Sequence, residues 1–172
     1  MILILSTCQQ KLSEDEFVRP IEKLLSKEDH RTKHYTEEID PSDYDSIIIC
    51  GTALMDFEYL NHLDKFSWLK DYTRCVLGIC SGAQIIAQVL GLELKDETMI
   101  GTRDVSVTVE NGLGKGKFRS YFLISKRPIL RNFSIALDQD EYMFKIKDKD
   151  FYGLLFHPEV LNPEMIVRFC SI

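Results

Sequence analysis

No apolar run in the sequence is long enough to cross a membrane. The apolar start, Met1-Ile2-Leu3-Ile4-Leu5-Ser6, is short and lacks the basic flank and cleavage site of a secretory signal, so it reads as a buried strand. CxxC pairs are missing as well. The five cysteines (Cys8, Cys50, Cys75, Cys80, Cys170) are odd in number and scattered, which argues against a disulfide framework and against a zinc site. Reduced thiols in a cytoplasmic setting are the resulting expectation, each thiol being a small core residue or a reactive one. Basic charge is scarce: 21 Lys and Arg against 27 Asp and Glu give a formal net charge of −6, so no general nucleic-acid surface is expected. Repeats, low-complexity tracts and Pro/Gly/Ser-rich linkers are also absent. Residues 1–172 are therefore expected to form a single domain, long enough to enclose a substantial core.

What is present alternates between strand-like and helix-like patterns. Ile2 to Leu5 is a continuous β-prone run, as in a strand covered on both faces. Ser13-Glu14-Asp15-Glu16 offers a capping box ahead of Phe17, Val18, Ile21, Leu24 and Leu25 at helical spacing. A strand is expected around Lys33 to Thr36 and another at Ser46 to Cys50; the stretch around Trp68 is irregular or helical. Cys75 to Ile79 then reads as a buried strand, and Gly82 to Leu90 as a helix closed by Gly91. This β-α-β-β-(α)-β-α order predicts an α/β fold: a three-layer, mostly parallel sheet with flanking helices. The second half looks richer in short strands, near Val105–Val109, Lys117–Ile124, Ser134–Asp138, Tyr142–Ile146 and Phe151–Phe156. Asn111-Gly112-Leu113-Gly114 supplies a turn between the first two, and Pro163 to Phe169 a last helix capped by Asn162. A β-rich insertion in an α/β core accounts for this pattern.

The chemistry concentrates in two segments. In Val76-Leu77-Gly78-Ile79-Cys80-Ser81-Gly82-Ala83-Gln84 a strand runs straight into a helix through G-x-C-x-G, the cysteine form of a nucleophile elbow. Cys80 at a helix N-terminus would be favoured as thiolate, and the Ser81 N–H would point towards an oxyanion. Taken alone, a cysteine after a buried strand is as often a plain core residue. Phe151 to Val160 ends another strand in His157-Pro158-Glu159. His157 and Cys80 would both lie at strand C-terminal ends, where sites form in parallel sheets. His157 would exchange the thiol proton and Glu159 would fix its tautomer.

Together these segments resemble the class I glutamine amidotransferases, whose elbow reads G-[IV]-C-x-G-x-Q and whose base motif ends F-H-P-E. Ile47-Ile48-Ile49-Cys50-Gly51-Thr52-Ala53 is similar to the family's I-I-x-x-G-G-P turn. Val160 and the short chain are most similar to the free-standing glutaminase subunits of archaeal GMP synthases. The resemblance implies a flavodoxin-type core and a catalytic triad of Cys80, His157 and Glu159. It also implies an oxyanion hole from the N–H groups of Gly51 and Ser81, and substrate contacts at Gln84 and Ser125. The implied reaction cleaves the glutamine side-chain amide through a γ-glutamyl thioester on Cys80 and supplies ammonia to a separate synthase partner. It calls for no cofactor, metal, nucleic acid or membrane. Three departures bear on substrate and partner selection: Thr52-Ala53 replaces the second Gly and the Pro, Leu155 replaces a Gln, and Lys126 stands where the family has His.

Two other readings accompany this one. One is a free-standing cysteine hydrolase acting on a γ-glutamyl peptide or another amide. The other is a regulatory or binding subunit that has kept the fold without turnover. Gly112 to Lys117 lacks the spacing of a phosphate loop and reads as a flexible hairpin; His30 and His34 read as solvated loop residues rather than metal ligands. Glu14-Asp15-Glu16 reads as the acidic first turn of a helix. Cys8, Cys50 and Cys170 read as core thiols, the first two near enough to strand ends to border the site.

Overall fold

The computed structural model describes residues 1–172. A seven-stranded sheet forms its centre, with the order β2-β1-β3-β4-β9-β8-β7. Its strands are β1 (Ile2–Ser6), β2 (His30–His34), β3 (Ser46–Ile49), β4 (Cys75–Ile79), β7 (Ser134–Ala136), β8 (Met143–Ile146) and β9 (Phe151–Leu154). The five from β2 to β9 in that order are parallel, and β8 and β7 continue the sheet antiparallel. Burial explains the apolar runs: every residue of β1 and β9 and all but the first of β3 are buried, as strands covered on both faces require.

Helices cover the sheet. They are α1 (Glu14–Phe17), α2 (Arg19–Leu24), α3 (Ser81–Val89), α4 (Pro158–Leu161) and α5 (Pro163–Phe169), with 3₁₀ turns over Glu58–Lys70. α3 ends where expected, with Gly91 at φ +96°. The helix expected after Ser13 is instead two short ones. Ser13 is itself helical (φ −65°, ψ −21°) and its side chain makes no cap, so the capping box does not form. The break comes at Val18 (φ −113°), just ahead of Pro20, which has no N–H to continue a hydrogen-bond ladder. Asn162 likewise makes no side-chain cap to α5; it accepts a hydrogen bond from the Ser120 hydroxyl instead (3.1 Å).

The β-rich insertion is a hairpin of two long strands, β5 (Leu94–Val107) and β6 (Gly116–Pro128), forming a second sheet of its own. The sequence pattern divides this region differently, because β7 and β8 belong to the main sheet and the hairpin strands run far beyond their apolar patches. The hairpin register slips between Asp96 and Met99, so that Glu97 and Thr98 together oppose Ser125. Such a bulge re-aims side chains locally.

Strand order positions the chemistry. β3, β4 and β9 are adjacent and parallel, with Ile49 opposite Gly78 and Ile79 opposite Leu154. The three segments that follow them, carrying Gly51, Cys80 and His157, therefore emerge side by side at one edge of the sheet.

Candidate active site

Cys80 links β4 to α3 in a conformation non-glycine residues seldom adopt, φ 51° and ψ −104°. Its N–H donates to the Leu154 carbonyl (2.8 Å) and its carbonyl accepts from the Gln84 N–H (3.1 Å), so both flanking elements hold the turn. Close packing demands the glycines around it: a Cβ on Gly82 would lie 2.1 Å from the Ile49 carbonyl oxygen, and one on Gly78 2.5 Å from the Gly82 carbonyl. The thiol is buried and donates to the Leu123 carbonyl of β6 at 3.4 Å.

His157 follows β9 through two extra residues and is 1% exposed. Its Nδ1 lies 2.8 Å from Glu159 Oε1, and that carboxylate is also buried. Glu159 sits in the first turn of α4, whose Pro158 fixes φ there, and its carboxylate meets the ring at Nδ1. The His157 N–H of the main chain donates to the Tyr121 carbonyl (2.8 Å), and Phe17 packs against the imidazole with ring centroids 5.3 Å apart. His157 Nε2 has no hydrogen-bond partner within the protein. Burial opposes a charge on this ring, but a neighbouring Cys80 thiolate and the Glu159 carboxylate outweigh it and push His157 up to about 10.

Gly51 lies between base and nucleophile. A Cβ there would stand 2.7 Å from His157 Cε1 and 3.4 Å from Cys80 Cβ. Neither the Gly51 nor the Ser81 N–H donates to a protein acceptor. The Ser81 hydroxyl faces away from the site, bonded to the Thr7 hydroxyl (2.9 Å) and the Cys50 carbonyl (3.1 Å). Cys8 sits behind Gly51, its thiol donating to the Gly51 carbonyl at 3.7 Å. Burial pushes the Cys8 thiol up and the Cys50 thiol well up, which suits them to packing rather than attack.

A small cavity of about 10 Å³ adjoins Cys80, room for about one water. Gln84 and Ser125 both line it. Gln84 is fully partnered: the Tyr59 hydroxyl donates to its Oε1, and its Nε2 donates to the Lys126 carbonyl (3.0 Å). Ser125 donates to the Leu54 carbonyl (3.4 Å). Thr52, Ala53, Leu54, Asp56 and Phe57, from the loop after Gly51, form the cavity's other wall. Asp56 knots that loop by accepting from the Thr52 hydroxyl (2.6 Å) and the Gln9 N–H (2.8 Å). Thr52 thus contributes a staple within the turn where the family pattern has Gly. Leu155 is fully buried in the core and does not line the cavity, so its replacement of Gln leaves that wall unchanged.

Sequence reasoning missed Tyr59, Phe17, Asp56 and Leu123 as parts of this site. Phe17 was legible only as the apolar face of a helix, and nothing local marks Tyr59. His34, expected in solvent, is half-buried at the end of β2, its Nε2 3.0 Å from the Cys8 carbonyl. No grouping of three or more metal-ligating side chains occurs, and no helix is long and apolar enough to cross a membrane.

Known proteins resemble this chain in sequence and in fold. Residues 17–166 match the model of the class-I glutamine amidotransferases. A subunit of the glutamine-hydrolysing GMP synthase of Methanosphaera stadtmanae is 36% identical over 95 residues, 49% of this chain and 51% of that protein. Its counterpart from Sulfolobus acidocaldarius is 28% identical over 137 residues, 71% of each. The chain thus aligns with about half the length of the first relative. In fold, a candidate GMP synthase subunit from Thermoplasma acidophilum superposes with a TM-score of 0.81 at 21% identity, covering 99% of this chain and 93% of that one. A glutamine amidotransferase from Thermotoga maritima gives 0.70 at 17% identity, covering 99% and 81%.

Proposed function

We propose a reaction for this chain, which belongs to the class-I glutamine amidotransferase family: it hydrolyses the side-chain amide of glutamine and passes the ammonia to a separate synthase. Cys80 rotates its thiol from the Leu123 carbonyl towards His157 Nε2 and passes its proton there, and the sulfur of the resulting thiolate–imidazolium pair attacks the δ-carbonyl carbon. Glu159 holds the Nδ1–H and stabilises the imidazolium. The N–H groups of Gly51 and Ser81 receive the developing oxyanion. His157 then protonates the leaving amine, ammonia departs, and a γ-glutamyl thioester remains on Cys80. Water attacks that thioester, giving its proton to His157; the thiol leaves and glutamate is released.

One observation carries this reading: the buried His157–Glu159 pair leaves Nε2 unpartnered beside a cysteine held at positive φ on an elbow. The proposal extends to residues 1–172 acting as one domain in the cytoplasm. The name carried by both archaeal relatives makes GMP synthase the leading acceptor system.

The test is release of glutamate and ammonia from glutamine, measured for the chain alone and with whatever synthase co-purifies with it. Cys80→Ala should abolish release, and a diazoketone analogue of glutamine should alkylate Cys80. Turnover of a γ-glutamyl peptide with no glutaminase activity under any partner condition would replace this reading with a free-standing hydrolase. Absence of both turnover and alkylation would leave a binding subunit.

A further inference from the structure

We propose that the hydroxyls of Thr7 and Ser81 act as a positioning pair, fixing the Cys50–Gly51 peptide so that the Gly51 N–H faces the reacting carbonyl; this rests on the reaction above. Thr7 follows β1 and Ser81 opens α3, and both side chains are buried. Their oxygens lie 2.9 Å apart, and each lies 3.1 Å from the Cys50 carbonyl oxygen. A trans peptide is planar, with its C=O and N–H pointing in opposite directions. Holding the Cys50 carbonyl on the hydroxyl pair therefore directs the Gly51 N–H to the opposite side, where no protein acceptor meets it. Gly51 itself is buried and stands against both reacting side chains, since a Cβ there would lie 2.7 Å from His157 Cε1 and 3.4 Å from Cys80 Cβ.

The peptide needs this restraint because of the residue it leads into. Rotating it changes ψ of Cys50 and φ of Gly51, and glycine opposes such a rotation less than any other residue. On one side the sheet pins only the Cys50 N–H, which donates to the Leu5 carbonyl (2.9 Å). On the other, the Gly51 carbonyl accepts from the Cys8 thiol at 3.7 Å, a weak donor. The two hydroxyls hold two protons for three oxygen–oxygen contacts. Either both donate to the carbonyl, or one donates to it and accepts from the other. The carbonyl is held in both arrangements, and each hydroxyl alone can still hold it. Ser81 thus has a second part in the site: beside its own N–H, its hydroxyl orients the N–H of Gly51.

Steady-state glutamate release from glutamine, using the chain with its co-purifying partner, tests the pair. An oxyanion donor acts only in the transition state, so losing it lowers kcat and spares KM. Thr7→Val and Ser81→Ala should each lower kcat only a fewfold, because the remaining hydroxyl still donates. The double variant should lose about 10²-fold, the size of one missing oxyanion donor, with KM within about threefold of the parent. That loss exceeds the product of the two single effects, which independent sites would give. In the Ser81→Ala background, Thr7→Ser keeps a hydroxyl and should stay within a fewfold of Ser81→Ala alone. Alkylation of Cys80 by iodoacetamide forms no oxyanion, so peptide mass mapping should find it at the parent rate in every variant. Turnover of the double variant within about fivefold of the parent overturns the proposal. So does an equal loss with Thr7→Ser and Thr7→Val, which marks packing, or alkylation slowed as much as turnover, which marks a damaged nucleophile. A rise in KM at unchanged kcat overturns it too. Each of these leaves the amidotransferase reading intact, whereas no turnover of glutamine by the parent protein in any setting removes both.

Discussion

Gly51 and His157 approach so closely that any side chain on the first would displace the second: a Cβ built on Gly51 falls 2.7 Å from the imidazole Cε1. The glycine is therefore required by the imidazole as much as by the turn it begins. Gly51→Ala should fold, because the contact is to a side chain, but the ring must shift. A displacement approaching 1 Å lowers rate by about 10²-fold, so kcat for glutamine hydrolysis should fall by that order with a smaller change in KM. Activity within a fewfold of the parent would contradict the placement.

Cys80 is held at φ 51°, where a Cβ is strained. Cys80→Gly should therefore be more stable than Cys80→Ala by about 0.5–2 kcal/mol, the reverse of the usual order within regular structure. Urea unfolding of the two inactive variants gives the comparison directly.

The raised His157 value makes stability depend on pH in a defined direction. Its protonated form is favoured in the folded state, so its contribution is complete below about pH 6.5 and is lost as pH rises through about 10. Unfolding free energy of the parent should decline across that window. His157→Gln should show a shallower decline there, measured by urea melts at stepped pH.

His157→Ala should reduce turnover by roughly 10²-fold or more at neutral pH. Glu159→Gln keeps the side-chain shape but loses the charge opposite Nδ1, and it should cost activity without unfolding the protein. Equal activity of parent and His157→Ala would remove the base assignment.

Gln84 joins Tyr59 to the Lys126 backbone inside the core. Gln84→Leu leaves the buried Tyr59 hydroxyl without its acceptor and should destabilise by about 1–3 kcal/mol. Adding Tyr59→Phe should recover part of that loss, because the stranded hydroxyl is then gone.

Much of the site was legible because its signals are local. G-x-C-x-G announces an elbow through the steric demands of glycine around a buried turn, and His-Pro-Glu announces an imidazole with a carboxylate partner two residues on. Runs such as Ile47-Ile48-Ile49 announce strands covered on both faces. Signals failed where local preference met tertiary demand. Ser13 begins a helical pattern yet does not cap it, since the chain is already helical there, and Asn162 gives its oxygen to Ser120 rather than to α5. The hairpin strands extend through polar residues that no alternation rule would join.

By itself, then, the sequence determined the order of strands and helices, the elbow at Cys80 and the pairing of His157 with Glu159, because each depends on residues close together in the chain. Tertiary structure decided what those residues meet. It set Gly51 against the imidazole, packed Phe17 on its face, put Leu155 in the core and set the Lys126 ammonium between Asp96 and the Phe57 ring. Those relations join segments 30 to more than 100 residues apart. They follow from parallel strand order and packing, which no local pattern encodes.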